Sequence, residues 1–136
     1  MVDLYDLLYF GEKYANNDQT AYYFRKADTS VVPFEEVQPF LQQCGGNETV
    51  LEYEYGYIPL FQVNVVTVEK RYIADTKNKN YIAHFKDIPY ERYDLEFKRY
   101  FDGNDCVLCD FEAVLKKELI ACAREWCKSH GIPFSH

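Results

Sequence analysis

The feature that most constrains this fold is an apolar stripe near the carboxyl end of the chain. Its members are separated by 3, 4, 4, 3 and 4 residues, and they are Leu108, Phe111, Leu115, Leu119, Cys122 and Trp126. This spacing places all of them on one side of an α-helix. Asp105 before the stripe predicts an N-cap, and His130-Gly131 and Pro133 after it predict the helix end. The rest of the chain must provide an apolar surface for this long helix.

The segments before this helix mix helical and strand periodicity. Helical spacing predicts helices over residues 3–15 and 33–44, the second ended by Gly45-Gly46. Strands are predicted where residues are β-prone or alternate with period two, over residues 20–26, 51–57, 60–74, 80–88 and 92–101. A polar stretch at residues 75–80 predicts that the third and fourth of these strands pair as a hairpin. The charge density of residues 92–101 also permits a helix.

The order of the predicted elements indicates the fold class. Strands and helices do not alternate regularly, as they would around a parallel sheet. We therefore predict an α+β fold in which a mostly antiparallel sheet of four to five strands packs against helices, including the long C-terminal amphipathic helix. No linker or repeat divides the 136 residues, so we predict one domain over residues 1–136.

The compartment is indicated by targeting signals and by cysteine usage. The first ten residues contain neither a basic leader nor a cleavage motif. No window approaches the roughly 20 apolar residues that span a bilayer. We expect a protein of the cytoplasm, or of a host-cell cytoplasm, without membrane association. Its five cysteines are then expected as thiols or metal ligands rather than disulfides.

Four of the cysteines have the spacing C-x2-C-x12-C-x4-C, and they are Cys106, Cys109, Cys122 and Cys127. Four thiolates can hold a tetrahedral zinc ion, so a zinc site is one interpretation. A redox pair at a helix N-terminus is another, for Cys106 and Cys109. Against both, Cys122 and Leu108 belong to the apolar stripe, and a domain of this size is stable without a metal. We favour ordinary core and surface thiols and expect no cofactor.

Acidic residues are concentrated in the first half of the chain. The net charge is −7, and residues 1–60 alone carry −7 from ten acids and three bases, whereas residues 61–100 carry +2. This charge disfavours direct contact with nucleic acid or an anionic membrane. It favours a basic protein surface as partner. If the first 60 residues share one face, that face attracts such a partner.

Within the acidic half, tyrosines alternate with carboxylates over residues 52–57, which read Glu-Tyr-Glu-Tyr-Gly-Tyr. Tyrosines provide large contact areas at low entropic cost, and carboxylates accept arginine or lysine. The predicted partner-binding residues are therefore Glu52, Glu54, Tyr55 and Tyr57, with Glu35 and Glu36 as second choices. The competing interpretation is a strand whose tyrosines pack inward and whose glutamates are only solvated.

These features predict a non-catalytic acidic protein that binds and inhibits a basic macromolecule, such as a nuclease or another nucleic-acid-binding protein. Immunity proteins and phage anti-defence proteins share this size and character, which is an analogy of type alone. The alternative is a small enzyme or small-molecule-binding domain with a pocket between the sheet and the C-terminal helix. Its reactive groups would be Cys109, His84 or nearby tyrosines, although no local motif joins them. The sequence leaves the oligomeric state open.

Overall fold

The computed structural model describes residues 1–14 and 21–135. Its helices are α1 (Tyr5–Gly11), α2 (Phe34–Gln43), α3 (Glu48–Val50), α4 (Val65–Thr76), α5 (Lys79–Phe85), α6 (Tyr90–Tyr100) and α7 (Asp105–Ser129). A π-helical turn, Leu51–Tyr55, continues α3. The strands are β1 (Val2–Asp3), β2 (Glu12–Lys13), β3 (Tyr22–Arg25), β4 (Ser30–Pro33), β5 (Tyr57–Pro59), β6 (Val63–Asn64) and β7 (Phe134–Ser135).

The strands of the described residues form three small sheets. β3 lies between β4 and β5 and is antiparallel to both, with Phe24 opposite Val31 and Ile58. β1 pairs with β7, and β2 with β6, in parallel. The predicted antiparallel sheet of four to five strands is therefore wrong. The α+β class and the long C-terminal helix are confirmed.

Three of the predicted N-terminal elements are present. The helices predicted over residues 3–15 and 33–44 occur as α1 and α2, and the strand predicted over residues 20–26 occurs as β3. α1 is shorter than predicted because residues 12 and 13 form β2. Residues 15–20, which include parts of two predictions, lie outside the described residues.

Residues 60–74 were predicted as a strand, but most of them form α4. The buried side chains of α4 recur at helical spacing, as in Val65, Val68 and Tyr72. The side chain of Asn64 caps the helix by accepting a hydrogen bond from the Thr67 amide at 3.3 Å. Valine is β-prone, but burial of a helical face overrides that preference.

The predicted hairpin is absent because its second strand, residues 80–88, lies largely in α5. The polar stretch that suggested a hairpin turn contains the N-cap of this helix. Asn78 Oδ1 accepts hydrogen bonds from the amides of Asn80 and Tyr81 at 3.0 and 3.1 Å. Asparagine is among the strongest N-cap residues, so this polar stretch starts a helix.

Residues 92–101 are also helical and form most of α6. A strand would place Leu95 on the buried face together with Tyr93 and Phe97. Instead Leu95 is 71% exposed, whereas Tyr93 and Phe97 are buried. The spacing of four between the two aromatic residues therefore sets the buried face of a helix.

Residues 51–57 do not form the predicted alternating strand. Asn47 caps α3 by accepting hydrogen bonds from the amides of Thr49 and Val50. The π-helical turn that follows ends at Gly56, whose φ of +75° is readily adopted by glycine. Only Tyr57 of the predicted strand lies in a strand, β5.

α7 confirms the predicted C-terminal helix. Four members of the apolar stripe are buried, namely Phe111, Leu115, Leu119 and Trp126. The helix ends at Ser129, directly before His130-Gly131. Its N-cap is Asn104 rather than Asp105, because the Asn104 side chain accepts from the Val107 amide at 3.2 Å.

Two hydrophobic clusters join these elements. The larger cluster contains the buried faces of α1, α4, α6 and α7, with ring contacts such as Phe97–Phe111 at 4.8 Å between centroids. The smaller cluster joins α2, the π-helical turn and the three-stranded sheet through Tyr23, Val32, Val37, Leu51 and Tyr57. None of the described helices is both long and apolar enough to cross a membrane.

Candidate functional site

The smaller cluster organises residues 21–60 into a unit that we call the acidic lobe. The lobe carries two bases, Arg25 and Lys26, and six acids: Asp28, Glu35, Glu36, Glu48, Glu52 and Glu54. All four glutamates predicted from the sequence belong to it. The contacts of α2 and the π-helical turn with the sheet bring together acids that are distant in sequence.

Both bases of the acidic lobe are held in ion pairs within it. Arg25 Nη2 lies 2.8 Å from Asp28 Oδ2, and Arg25 Nη1 lies 3.1 Å from Glu36 Oε2. The hydrogen bond from Arg25 is the main reason that the pKa of Asp28 lies well below its usual range. Lys26 Nζ lies 3.1 Å from Glu52 Oε2. The two cations of the lobe therefore have carboxylate partners already.

Three acids of the lobe remain uncompensated. Glu35, Glu48 and Glu54 are exposed, and none makes an ion pair with another described residue. Of the predicted residues, Glu35 and Glu54 thus present unpaired carboxylates, whereas Glu36 and Glu52 are held by bases. The surface has excess negative charge at the three unpaired positions, which an external cation can neutralise.

The structure places the predicted tyrosines in unequal surroundings. Tyr57 is only 7% exposed, and its ring packs 5.4 Å from that of Phe40. The Tyr55 hydroxyl donates a hydrogen bond to Gln43 Oε1 at 2.8 Å. Tyr53, which is not among the predicted partner-binding residues, is 88% exposed. The tyrosine most accessible to a partner is therefore Tyr53, and the N-cap signal of Asn47 was the clue to a helical turn here.

A cleft of about 550 Å³ lies in the acidic lobe, between the π-helical turn, β5 and the end of α7, and all of its lining residues except His130 belong to the lobe. Glu52 crosses part of this cleft, because its Oε1 lies 3.6 Å from His130 Nδ1 while its Oε2 contacts Lys26. The alternative function predicts a pocket between the sheet and the C-terminal helix, whereas this cleft meets those elements only at Pro59 of β5 and at His130, which follows α7. Its polar groups include Lys26, Glu52, His130 and Thr49.

The predicted reactive groups Cys109 and His84 do not line this cleft. His84 Nε2 is instead hydrogen-bonded to Glu96, and its ring stacks on Tyr100 at 4.1 Å between centroids. Hydrogen bonds from Arg99 and His84 lower the pKa of Glu96 to about 2. His84 is thus part of a polar network between α5 and α6, and within the described residues no hydrogen bond joins it to Cys109.

Relatives of known function would be an independent guide to these surfaces. No protein family model, curated protein or solved structure matches this chain. The charges, exposure and contacts of the described residues are therefore the basis for assigning a function.

The four cysteines considered as zinc ligands are spread along α7. Cys106 and Cys109 are exposed in its first turns, whereas Cys127 is buried, and burial raises its pKa. Cys109 and Cys122 are about 20 Å apart along the axis at 1.5 Å per residue. Zinc–sulfur bonds are only about 2.3 Å long, so one ion does not reach all four thiolates. Among residues 1–14 and 21–135, no group of three or more His, Cys, Asp or Glu side chains is arranged to hold a metal.

Proposed function

We propose that this chain is a non-catalytic protein that binds and inhibits a basic protein, such as a nuclease or another nucleic-acid-binding protein, through the acidic lobe. One observation carries the proposal. Both bases of the lobe are engaged in internal ion pairs, so Glu35, Glu48 and Glu54 are left uncompensated. The highly exposed Tyr53 adjoins one of these carboxylates in sequence.

Such a surface suits arginine and lysine side chains. An arginine from the partner can pair with Glu48 or Glu54 and stack on the ring of Tyr53, since aromatic faces attract cations. The uncompensated charge also steers a basic partner towards the lobe and increases the association rate at low salt. Inhibition follows if the partner uses the same basic surface for nucleic acid.

Charge reversal at the two predicted and unpaired glutamates tests this proposal. We expect the double variant Glu35→Lys with Glu54→Lys to bind the partner about tenfold more weakly or worse at low salt, because it loses attraction and adds repulsion. Both side chains are exposed and outside any ion pair that the described residues form, so the melting temperature should hardly change. The matched control is Asp87→Lys with Asp102→Lys, an equal change of charge at exposed positions outside the lobe.

The partner is first retained from an extract of the source cell on the immobilised chain, and its affinity for each variant is then measured by calorimetry. A basic nucleic-acid-handling protein that distinguishes the lobe variant from the control would support the proposal. Equal affinity of wild type and lobe variant at low salt would refute it.

The cleft in the lobe favours a second candidate function, the binding of a small molecule. Its volume of about 550 Å³ lies within the roughly 300–1,000 Å³ typical of ligand sites. We expect a cleft ligand to raise the melting temperature of the wild type and of His84→Ala, but not of His130→Ala. A thermal-shift screen of metabolites measures this effect. A screen in which every stabilising compound acts equally on the two histidine variants would exclude His130 as a contact.

A further inference from the structure

A groove of about 230 Å³ lies between α4, α5 and the start of α6. Its apolar surface is formed by residues of these helices and of the connection after α5, namely Ile73, Ala74, Ile82, Phe85, Ile88 and Tyr93. Phe85 and Tyr93 are buried, whereas Ile82 is 42% exposed. The other lining residues are Lys70 and Lys86. The groove therefore combines a hydrocarbon surface with two cationic side chains, and all of it lies outside the acidic lobe.

The two lysines of this groove have no carboxylate partner among the described residues. Neither lysine takes part in an ion pair that these residues form. The acids that adjoin the groove residues in sequence do not line the groove, and they are Glu69, Asp75, Asp87 and Glu91. The bases of the acidic lobe, in contrast, are both paired with carboxylates. Two ammonium groups without a paired acid favour an anion at this groove.

The ammonium group of Lys70 is positioned by two aromatic rings. Its Nζ lies 5.8 Å from the centroid of the Tyr90 ring and 5.4 Å from that of the Tyr93 ring. Such cation–π contacts attract an ammonium group but leave its charge unneutralised, because a tyrosine ring carries no net charge. Since Tyr93 lines the groove, Lys70 holds its positive charge beside the apolar surface.

The size of the groove and the charge of the chain restrict the occupant. The volume of about 230 Å³ lies below the roughly 300–1,000 Å³ typical of sites for drug-sized ligands, so it suits a single short hydrocarbon chain. A small inorganic anion would leave the apolar surface exposed to water, and a neutral hydrocarbon would leave both lysines unpaired. The net charge of −7 disfavours an anionic membrane surface as the occupant.

We propose that this groove binds a free short-chain alkyl carboxylate. The carboxylate pairs with Lys70 and Lys86, because hydrogen bonds between two charged groups are stronger than neutral ones. The hydrocarbon chain lies against the isoleucines of the groove and covers part of the exposed Ile82, and this burial of apolar surface favours binding. The groove shares no lining residue with the cleft of the acidic lobe, so the proposal is independent of the functions proposed for the lobe.

Calorimetric titration of the full chain with sodium n-hexanoate at neutral pH tests the proposal. We expect saturable binding by the wild type and an affinity at least about tenfold lower for Lys70→Gln with Lys86→Gln, which loses both ammonium groups. The matched control is Lys79→Gln with Lys117→Gln, an equal change of charge at exposed lysines that do not line the groove. The control should bind as the wild type does. Circular dichroism verifies that both variants are folded.

Two further ligands separate the contributions of the charge and of the hydrocarbon chain. Hexan-1-ol keeps the chain without the carboxylate, and acetate keeps the carboxylate without most of the chain. Each should bind at least about tenfold more weakly than n-hexanoate. Equal binding of n-hexanoate and either of these ligands would overturn the proposal.

Three other results would also contradict it. The first is the absence of saturable n-hexanoate binding, and the second is equal affinity of the wild type and the groove variant. The third is binding to phosphatidylserine vesicles that the groove variant abolishes, without n-hexanoate binding, which would assign the groove to a membrane surface. The lobe variant Glu35→Lys with Glu54→Lys should bind n-hexanoate as the wild type does, so the failure of either proposal is distinguishable from that of the other.

Discussion

Replacing Trp126 by alanine is expected to lower the free energy of unfolding by about 4 kcal/mol, one of the largest losses for any single side chain of this protein. The indole lies where α7 meets the three-stranded sheet. Its ring is 5.4 Å from Phe24 and 6.1 Å from Phe61 between centroids. Its Nε1–H donates a hydrogen bond to the Pro59 carbonyl at 2.9 Å. Alanine would remove the packing and leave that carbonyl without this donor.

Denaturant unfolding followed by circular dichroism measures this loss, since the variant contains no tryptophan for fluorescence. Trp126→Phe keeps an aromatic ring but loses the N–H donor, so it should cost clearly less than the alanine variant. Tyr53→Ala is the control for removal of a large aromatic side chain, because Tyr53 is 88% exposed, and its effect should stay within about 0.5 kcal/mol. Similar losses for Trp126→Ala and Tyr53→Ala would contradict the assigned role of Trp126.

The contrast between α7 and α4 explains how much of the fold was predictable. The apolar stripe of α7 keeps the spacing of an α-helix over many turns, and this consistent spacing is not compatible with a strand. In α4 the consecutive Val65 and Val66 conceal the helical period, and their β-branched side chains favour a strand locally. The helix forms because it buries both valines against other elements, and such tertiary contacts are not encoded in a local pattern.

The candidate site was predictable as a region but not as a set of side chains. The concentration of acids in residues 1–60 identified the acidic lobe, because charge is additive along the sequence. Whether a given carboxylate forms an ion pair depends on which bases lie near it in the folded structure. Glu52 pairs with Lys26 across 26 positions of sequence, whereas Glu54 has no base beside it among the described residues. The same limit applies to Tyr53, which is exposed on the π-helical turn, and to Tyr57, which is buried in β5 against Phe40.

A second large effect is expected at Glu69, where replacement by glutamine should stabilise the protein. Burial, and then the nearby Asp94 carboxyl, raise the pKa of Glu69 to about 9. The folded protein therefore keeps this carboxyl protonated at neutral pH, whereas the unfolded chain releases the proton above a pKa of about 4.5. Proton release favours unfolding, so Glu69 destabilises the fold increasingly as pH rises from about 5 to about 9.

Each pH unit in this window costs about 1.4 kcal/mol, so the penalty at pH 7 is of the order of 3 kcal/mol. Glutamine does not ionise, and its amide can donate to Asp94. Glu69→Gln should thus match the wild type near pH 4, exceed its stability by about 3 kcal/mol at pH 7, and lose the downward slope between them. Urea unfolding at several pH values measures this difference, with Glu54→Gln as the exposed control. A variant with the same pH dependence as the wild type would show that Glu69 ionises normally in the folded protein.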